Sequence, residues 1–127
     1  MKFTLESTTA VSVRSVANGQ FLIGEDTWAE AIALTADGIV ADWAAIPVEA
    51  LSRDSLEPLL RLQPEVLIVG TGSRQMLPDR SLMFAMARAG VGLELMDTPA
   101  AARTFNVLAN EGRSVAAVLY PTDSDGS

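Results

Sequence analysis

The feature that most constrains the fold is an alternation of short apolar runs and helical segments in the second half of the chain. It predicts three β-strands, at 66–69, 93–96 and 115–120. The first run, Val-Leu-Ile-Val, is unbroken, which is typical of a strand covered on both faces. Between the strands, Pro78 and Gly90 bound one predicted helix, and Thr98 is the predicted N-cap of a second that continues to Asn110. Because strand–helix–strand connections return parallel, the first two strands should lie side by side in the same direction.

The first half of the chain has the signals of β structure. Asn18-Gly19 favours a type I′ turn, and the apolar residues on either side of it predict a hairpin. Residues 28–34 are rich in alanine, which favours helix, but their short length and the Asp37-Gly38 turn after them favour a strand. A short helix capped by Ser52 or Asp54 is predicted to run to about Leu62.

Composition limits the size and the compartment of the protein. With 127 residues, 49% of them hydrophobic, the chain can bury one core, so we predict a single α/β domain over 1–120 and a flexible polar tail over 121–127. The first six residues lack the apolar stretch of a secretory signal, and no apolar run approaches the roughly 18 residues that span a bilayer. The sequence therefore predicts a cytoplasmic protein without membrane insertion.

The charged and reactive residues exclude several classes of function. The chain contains no cysteine and no histidine, which removes disulfides, thiolate nucleophiles, imidazole bases and Cys/His metal sites. Sixteen acidic against nine basic side chains give a net charge of −7, which argues against a nucleic-acid partner. A Walker A motif is absent, and the Gly70-Thr71-Gly72 turn has Gln75 where a dinucleotide fingerprint needs its third glycine. No cofactor and no metal are predicted.

Polar and basic residues follow the two adjacent parallel strands at the edge where ligands bind in open α/β sheets. The candidate binding residues are Gly70, Thr71, Gly72, Ser73 and Arg74 in the first loop, Asp97 and Thr98 at the second strand end, and Arg103 and Asn106 on the following helix. Arginines here, together with Arg80 and with free N–H groups at two helix N-termini, favour an anionic ligand.

These residues also have structural interpretations, which the sequence leaves open. The glycines allow a tight turn, Asp97 and Thr98 are good helix caps, and Arg103 could form a surface ion pair with Asp97 or Glu111. Without histidine, catalysis by Ser73 would need Asp97, Glu111 or Lys2 as its base. A carboxylate beside arginine is a poor base at neutral pH, so no catalytic residue is predicted.

Four stretches of the second half together resemble a known family. They are Pro64-Glu-Val-Leu-Ile-Val-Gly-Thr-Gly72, Gly90-Val-Gly-Leu-Glu-Leu-Met-Asp-Thr98, Ala102-Arg-Thr-Phe-Asn106 and Glu111-Gly-Arg-Ser-Val-Ala-Ala117. The family is one of small uncharacterised domains that includes the third assembly factor of the mitochondrial complex I alpha subcomplex and an adipogenesis-associated protein. The resemblance implies a three-layer β/β/α fold with a mixed central sheet and an N-terminal β-hairpin layer, and it supports a strand at 28–34.

The resemblance also bears on function. It implies a non-enzymatic assembly factor with protein partners. It also implies a cleft lined by seven of the candidate residues, namely Gly70, Thr71, Gly72, Asp97, Thr98, Arg103 and Asn106. Family members often have cysteine in place of Ala102, so redox chemistry at that position would not extend to this chain. We therefore expect a binding or assembly module. The alternatives are a small enzyme or binder acting on an anionic small molecule through Asp97 or Ser73, and a purely structural domain that forms a homo-oligomer.

Overall fold

The computed structural model describes residues 11–123, which form eight β-strands, three α-helices and one 3₁₀ turn. The strands are β1 (Val13–Ala17), β2 (Gln20–Ile23), β3 (Asp26–Trp28), β4 (Ile32–Thr35), β5 (Gly38–Ile39), β6 (Val66–Gly70), β7 (Gly92–Met96) and β8 (Val115–Leu119). The helices are α1 (Glu57–Leu60), α2 (Arg80–Ala89) and α3 (Thr98–Asn110), and the 3₁₀ turn is Val48–Ala50. The N-terminal segment examined for a secretory signal and residues 124–127 of the predicted tail lie outside the described residues.

A mixed sheet of five strands forms the centre of the molecule, in the order β5-β4-β8-β6-β7. β6 pairs in parallel with β7 on one side and with β8 on the other, while β4 pairs antiparallel with β8 and β5. Val66 lies opposite Gly92, and Gly70 lies opposite Met96. The predicted parallel pair of strands is therefore confirmed, and their carboxyl ends meet at one edge.

A second sheet of three antiparallel strands, β1-β2-β3, forms the N-terminal layer. The turn between β1 and β2 is the predicted one, with positive φ at Asn18 (55°) and Gly19 (74°). The predicted single strand at 28–34 is wrong in its bounds. Trp28 ends β3 opposite Phe21 in the small sheet, whereas β4 begins at Ile32 in the central sheet, so the chain passes from one sheet to the other between them.

The central sheet has a buried core on each face, because its strands alternate between the two. On one face, side chains of the small sheet and α3 cover the central strands, and the core residues there include Phe21, Phe105, Leu34, Ile68 and Leu119. On the other face, the central strands are covered by α1, α2 and the segment around Trp43. The core residues there include Leu56, Leu59, Leu67, Val69 and Met86. The result is the predicted three-layer arrangement, with α2 and α3 on opposite faces of the central sheet.

The predicted helix at 52–62 is also wrong in extent. α1 spans only Glu57–Leu60, and Pro58 stands in its first turn. A helix that began at residue 52 would place this proline in its interior, where its missing N–H and its ring are not tolerated. Instead, the Ser52 hydroxyl accepts from the Ser55 amide at 3.2 Å, and the Ser55 hydroxyl accepts from the Ser52 amide at 2.9 Å. These two bonds form a turn ahead of the helix.

Candidate functional site

The three parallel strands of the central sheet end at the same edge, and their exits are bonded directly to one another. The Thr98 amide donates to the Gly72 carbonyl at 2.8 Å, and the Tyr120 amide donates to the Gly70 carbonyl at 2.8 Å. The loop after β6 and the corner after β7 therefore converge, as the sequence predicts.

The side chain of Thr98 joins all three strand exits and is completely buried. Its hydroxyl accepts from the Gly72 amide at 2.8 Å and donates to the Tyr120 carbonyl at 2.6 Å. Both capacities of the hydroxyl are thus used within the protein, and they satisfy two backbone groups that follow β6 and β8. Thr98 acts here as an internal connector between loops.

Thr71 shapes the loop that follows β6. Its nearly buried hydroxyl donates to the Arg74 carbonyl at 2.7 Å, with the Met96 carbonyl a longer alternative at 3.3 Å, and it accepts from the Met76 amide at 3.1 Å. These bonds hold residues 71–76 in a compact turn. The hydroxyl thus uses its proton and one of its lone pairs within the loop.

The two glycines of this edge are needed for close packing and for the turn. A Cβ on Gly70 would lie 2.9 Å from the Ala101 Cβ and 3.0 Å from the Thr98 Cα, because α3 crosses directly over this residue. Gly72 has a φ of +104°, which residues with a side chain rarely adopt. The structural interpretation of both glycines is supported.

The expectation of free N–H groups at the start of α3 is wrong. The N-cap is Asp97 and not Thr98, and the Asp97 Oδ1 accepts from the Ala100 amide at 2.9 Å. The Thr98 amide donates to Gly72, Pro99 has no N–H, and the Ala101 amide donates to the Asp97 carbonyl at 2.9 Å. The carboxylate thus occupies the place that an anionic ligand would take at this helix.

Asn106 holds the small sheet onto α3. Its Oδ1 accepts from the Val13 amide and its Nδ2 donates to the Val13 carbonyl, both at 2.9 Å. One side chain thus satisfies both backbone groups of a β1 residue. Asn106 is directed towards the N-terminal layer and does not converge with the loop after β6.

Three of the candidate residues are exposed, namely Ser73, Arg74 and Arg103. The Ser73 hydroxyl accepts from the Asp123 amide at 2.8 Å, which places the C-terminal segment beside the loop. Within residues 11–123, Arg74 and Arg103 take part in none of the ion pairs, including the suggested pairing of Arg103 with Asp97 or Glu111. Arg103 lies on α3, whereas the segment that begins at Arg74 leads into α2 on the opposite face.

That segment carries an exposed apolar and basic surface that the sequence prediction missed. Leu77 is 75% exposed and Phe84 is 61% exposed, although both are large apolar side chains. We call the following set the 74–88 surface: Arg74, Met76, Leu77, Arg80, Met83, Phe84 and Arg88, all of them exposed. The available signal was the helical spacing of Arg80, Phe84 and Arg88, which places them away from the buried residues Leu82 and Met86.

Shallow clefts also lie elsewhere on the described residues, away from the loop after β6 and the 74–88 surface. One of them, of about 510 Å³, lies at the opposite end of the parallel strands, between Gln63, Glu65 and Gly90. Residues 11–123 contain no cluster of acidic side chains that could hold a metal ion, and none of their helices is long and apolar enough to span a bilayer.

Burial, with a smaller contribution from Glu49, raises the pKa of Tyr120 well above its ordinary range. The Tyr120 hydroxyl donates to the Ile46 carbonyl at 2.7 Å.

Fold and site together define a class: a three-layer α/β domain whose strand exits are bonded to one another and which exposes apolar and arginine side chains along residues 74–88. The chain belongs to the family described as "Protein of unknown function (DUF498/DUF598)", whose model matches residues 13–120. Among solved structures, a Bordetella parapertussis protein is 36% identical with a TM-score of 0.80, over 89% of this chain and 97% of its own. A Xanthomonas campestris protein is 32% identical with a TM-score of 0.81, over 94% of this chain and 92% of its own.

The curated relatives carry two kinds of name. The bovine protein named NADH dehydrogenase [ubiquinone] 1 alpha subcomplex assembly factor 3 is 30% identical over 91% of this chain and 64% of its own length. Its human counterpart is 36% identical over 65% of this chain and 46% of its own length, so the chain spans about half to two thirds of these relatives. A Francisella tularensis protein named 13 kDa major membrane protein is 26% identical over 86% of this chain and 89% of its own length.

Proposed function

We propose that the chain is a non-enzymatic, protein-binding module that acts like an assembly factor, and that the 74–88 surface contacts its partner. The observation that carries the proposal is the exposure of Leu77 and Phe84 beside three arginines in a chain of net charge −7. The proposed contact begins at the predicted loop, at Arg74, and extends along α2. The buried Thr71 hydroxyl bonds to the backbone of Arg74 and Met76 and holds the start of this surface in place.

The physical case rests on the kind of surface that partners recognise. Exposed large apolar side chains that lie close together mark interaction sites, and aromatic and arginine side chains supply much of the binding energy at interfaces. Among the described residues, the three arginines take part in none of the ion pairs, so they are available to an acidic partner. The closed strand exits, in contrast, favour a flat contact over a small-molecule pocket.

The names of the relatives indicate which partner to test first. Because several are named complex I assembly factors, we propose that the partner is an unassembled subunit of a membrane-bound NADH dehydrogenase. This extension concerns a shared domain, since the chain spans only part of those relatives.

The test uses the purified wild-type chain and the double variant Arg80→Glu/Phe84→Ser as bait for the organism's NADH dehydrogenase subunits. Captured subunits are identified by mass spectrometry, and the complex of the purified subunit with each bait is then reconstituted to measure its affinity. Both substitutions are on exposed positions, so folding should be retained. The matched control is Val107→Ser, because Val107 is 55% exposed on α3, on the other face of the sheet. Wild type and control should bind a subunit, and the double variant should lose at least tenfold in affinity. Equal binding by all three would refute the proposed surface.

The alternative proposal is a small anion bound at the edge formed by the loop after β6 and the corner after β7. Its remaining support is the exposure of Arg74 and Arg103, since the α3 amides are already bonded. It predicts a thermal shift with anionic metabolites that disappears in Arg103→Ala. If an enzyme is involved, turnover should also disappear in Asp97→Asn while the chain stays folded. An unchanged shift in Arg103→Ala would remove this site.

A further inference from the structure

β7 is an edge strand of the central sheet, and few of its outward-facing backbone groups are bonded to any residue within 11–123. In a parallel ladder, alternate residues bond to the neighbouring strand and the residues between them point outward. Gly92 donates to the Glu65 carbonyl and Met96 accepts from the Thr71 amide, both at 2.9 Å, so the even-numbered residues face β6. The N–H and C=O groups of Leu93 and Leu95 therefore face outward.

One side chain covers part of this row. The Gln75 amide donates to the Leu95 carbonyl at 2.8 Å, and it is the one bond that reaches the outer row among residues 11–123. Gln75 itself is exposed. The contact places the start of the 74–88 surface at the outer side of β7, and α2, which carries the rest of that surface, packs against the same strand. The open edge thus adjoins residues 74–77, where the 74–88 surface begins.

We infer that β7 is a docking edge for an extended segment of a different polypeptide, with apolar and acidic side chains, that adds to the sheet as a sixth strand beside the 74–88 surface. Backbone pairing with Leu93 and Leu95 would supply the hydrogen bonds, and side-chain contacts would supply the specificity, as in other cases of strand addition. The inference deepens the proposed function and rests on it, because it specifies how the partner binds to that surface.

The charges favour a different polypeptide over a second copy of the chain. A contact between two copies about a two-fold axis brings the same surface of each into contact. If two β7 strands paired antiparallel about their centre, Glu94 would lie opposite Glu94, and like charges directly opposite each other are destabilising. The arginines of each α2 would also flank those of the other. An acidic segment from another polypeptide would avoid this repulsion between arginines, because residues 73–89 carry a net positive charge, with three arginines and one aspartate.

Gln75 has a defined role in this arrangement. An exposed edge invites unspecific pairing, and a polar side chain that caps one of its carbonyls reduces that risk. An incoming strand has to displace the Gln75 amide before it can bond to the Leu95 carbonyl. Gln75→Ala removes the competing donor and should tighten strand binding about two- to tenfold, the range that one hydrogen bond accounts for.

The experiment selects twelve-residue peptides from a random phage-displayed library on the full chain, and then measures amide hydrogen exchange by NMR with the best synthetic peptide. We expect enriched peptides to alternate apolar and acidic residues. Bound peptide should slow exchange at the Leu93 and Leu95 amides at least tenfold, and leave Glu94 and Met96, which are already bonded to β6, unchanged. Gln75→Ala should bind more tightly than wild type.

The failures can be told apart. No enriched peptide, or a bound peptide that leaves the Leu93 and Leu95 amides unprotected, overturns strand addition. In the second case, loss of that peptide in Arg80→Glu/Phe84→Ser leaves the proposed function standing. Protection of the two amides together with unchanged binding to that double variant supports strand addition and refutes the 74–88 surface. Concentration-dependent dimerisation of the free chain that protects the same amides overturns the choice of a different polypeptide.

Discussion

Replacing Thr98 by valine tests whether the closed edge of the sheet is a source of stability. Valine keeps the shape of threonine but removes the hydroxyl that bonds to the Gly72 amide at 2.8 Å and to the Tyr120 carbonyl at 2.6 Å. Both backbone groups then lose a partner in a site where residue 98 is fully buried.

The expected loss follows from the cost of leaving buried polar groups unpaired, about 1–3 kcal/mol for each. Tyr120 is only partly buried, so water can recover part of the carbonyl's share. We therefore expect Thr98→Val to lower the free energy of unfolding by about 2–4 kcal/mol, a large fraction of the roughly 5–15 kcal/mol typical of a domain. With a urea m-value of about 2 kcal/mol/M, the unfolding midpoint should fall by about 1–2 M.

Two further variants separate the contribution of the Thr98 hydroxyl to stability from that of its methyl group and from the general effect of replacing threonine by valine. Thr98→Ser retains both hydrogen bonds and loses one methyl group, so it should cost only about 1 kcal/mol. Thr104→Val, whose hydroxyl makes only a 3.6 Å contact with the Met96 sulfur, should change stability by less than about 0.5 kcal/mol. The reasoning is refuted if Thr98→Val is no less stable than Thr104→Val, or if serine at position 98 costs as much as valine.

Three other predictions concern stability and use the same urea assay. Gly70→Ala should cost about 1–3 kcal/mol because its Cβ would lie 2.9 Å from another side chain, whereas Gly92→Ala, with no contact under 3.5 Å, should be close to neutral. Asn106→Ala should cost about 1–3 kcal/mol and speed hydrogen exchange in β1 to β3 more than elsewhere, since both bonds to Val13 are lost; uniform exchange would contradict this. The raised pKa of Tyr120 means that the folded chain holds the phenol proton more tightly than the unfolded chain does, so wild type should lose stability as the pH rises above about 10 and Tyr120→Phe should not. Parallel pH profiles of the two proteins would exclude that assignment.

The elements that the sequence predicted well are those whose signals are local. The apolar run at 66–69 and the turn at Asn18-Gly19 determine their own structure, and the parallel pairing of β6 with β7 follows from the connection between them. The strand expected at 28–34 was wrong in its bounds because Trp28 pairs with Phe21 in one sheet, while the residues from Ile32 pair with a strand more than eighty residues later in the chain. Alternation of side chains cannot reveal a change of sheet.

The candidate site was predictable in position but not in its hydrogen bonding. The convergence of the two loops follows from parallel strands, whereas the partners of Thr98 lie 26 and 22 residues away and depend on how the hydroxyl is oriented. The same holds for Asn106, which bonds to a residue 93 positions earlier. Whether a polar residue is available to a ligand depends on such distant partners.

The position of β8 within the central sheet has a consequence for how the chain folds as it is made. β8 is the last strand within the described residues, yet it lies between β4 and β6 and bonds to both. Until residues 115–119 have been synthesised, β4 with β5 and β6 with β7 remain two separate pairs, each with an apolar edge exposed. Synthesis stalled shortly before that point would leave a nascent chain that is prone to aggregate, although both of these strand pairs are already complete.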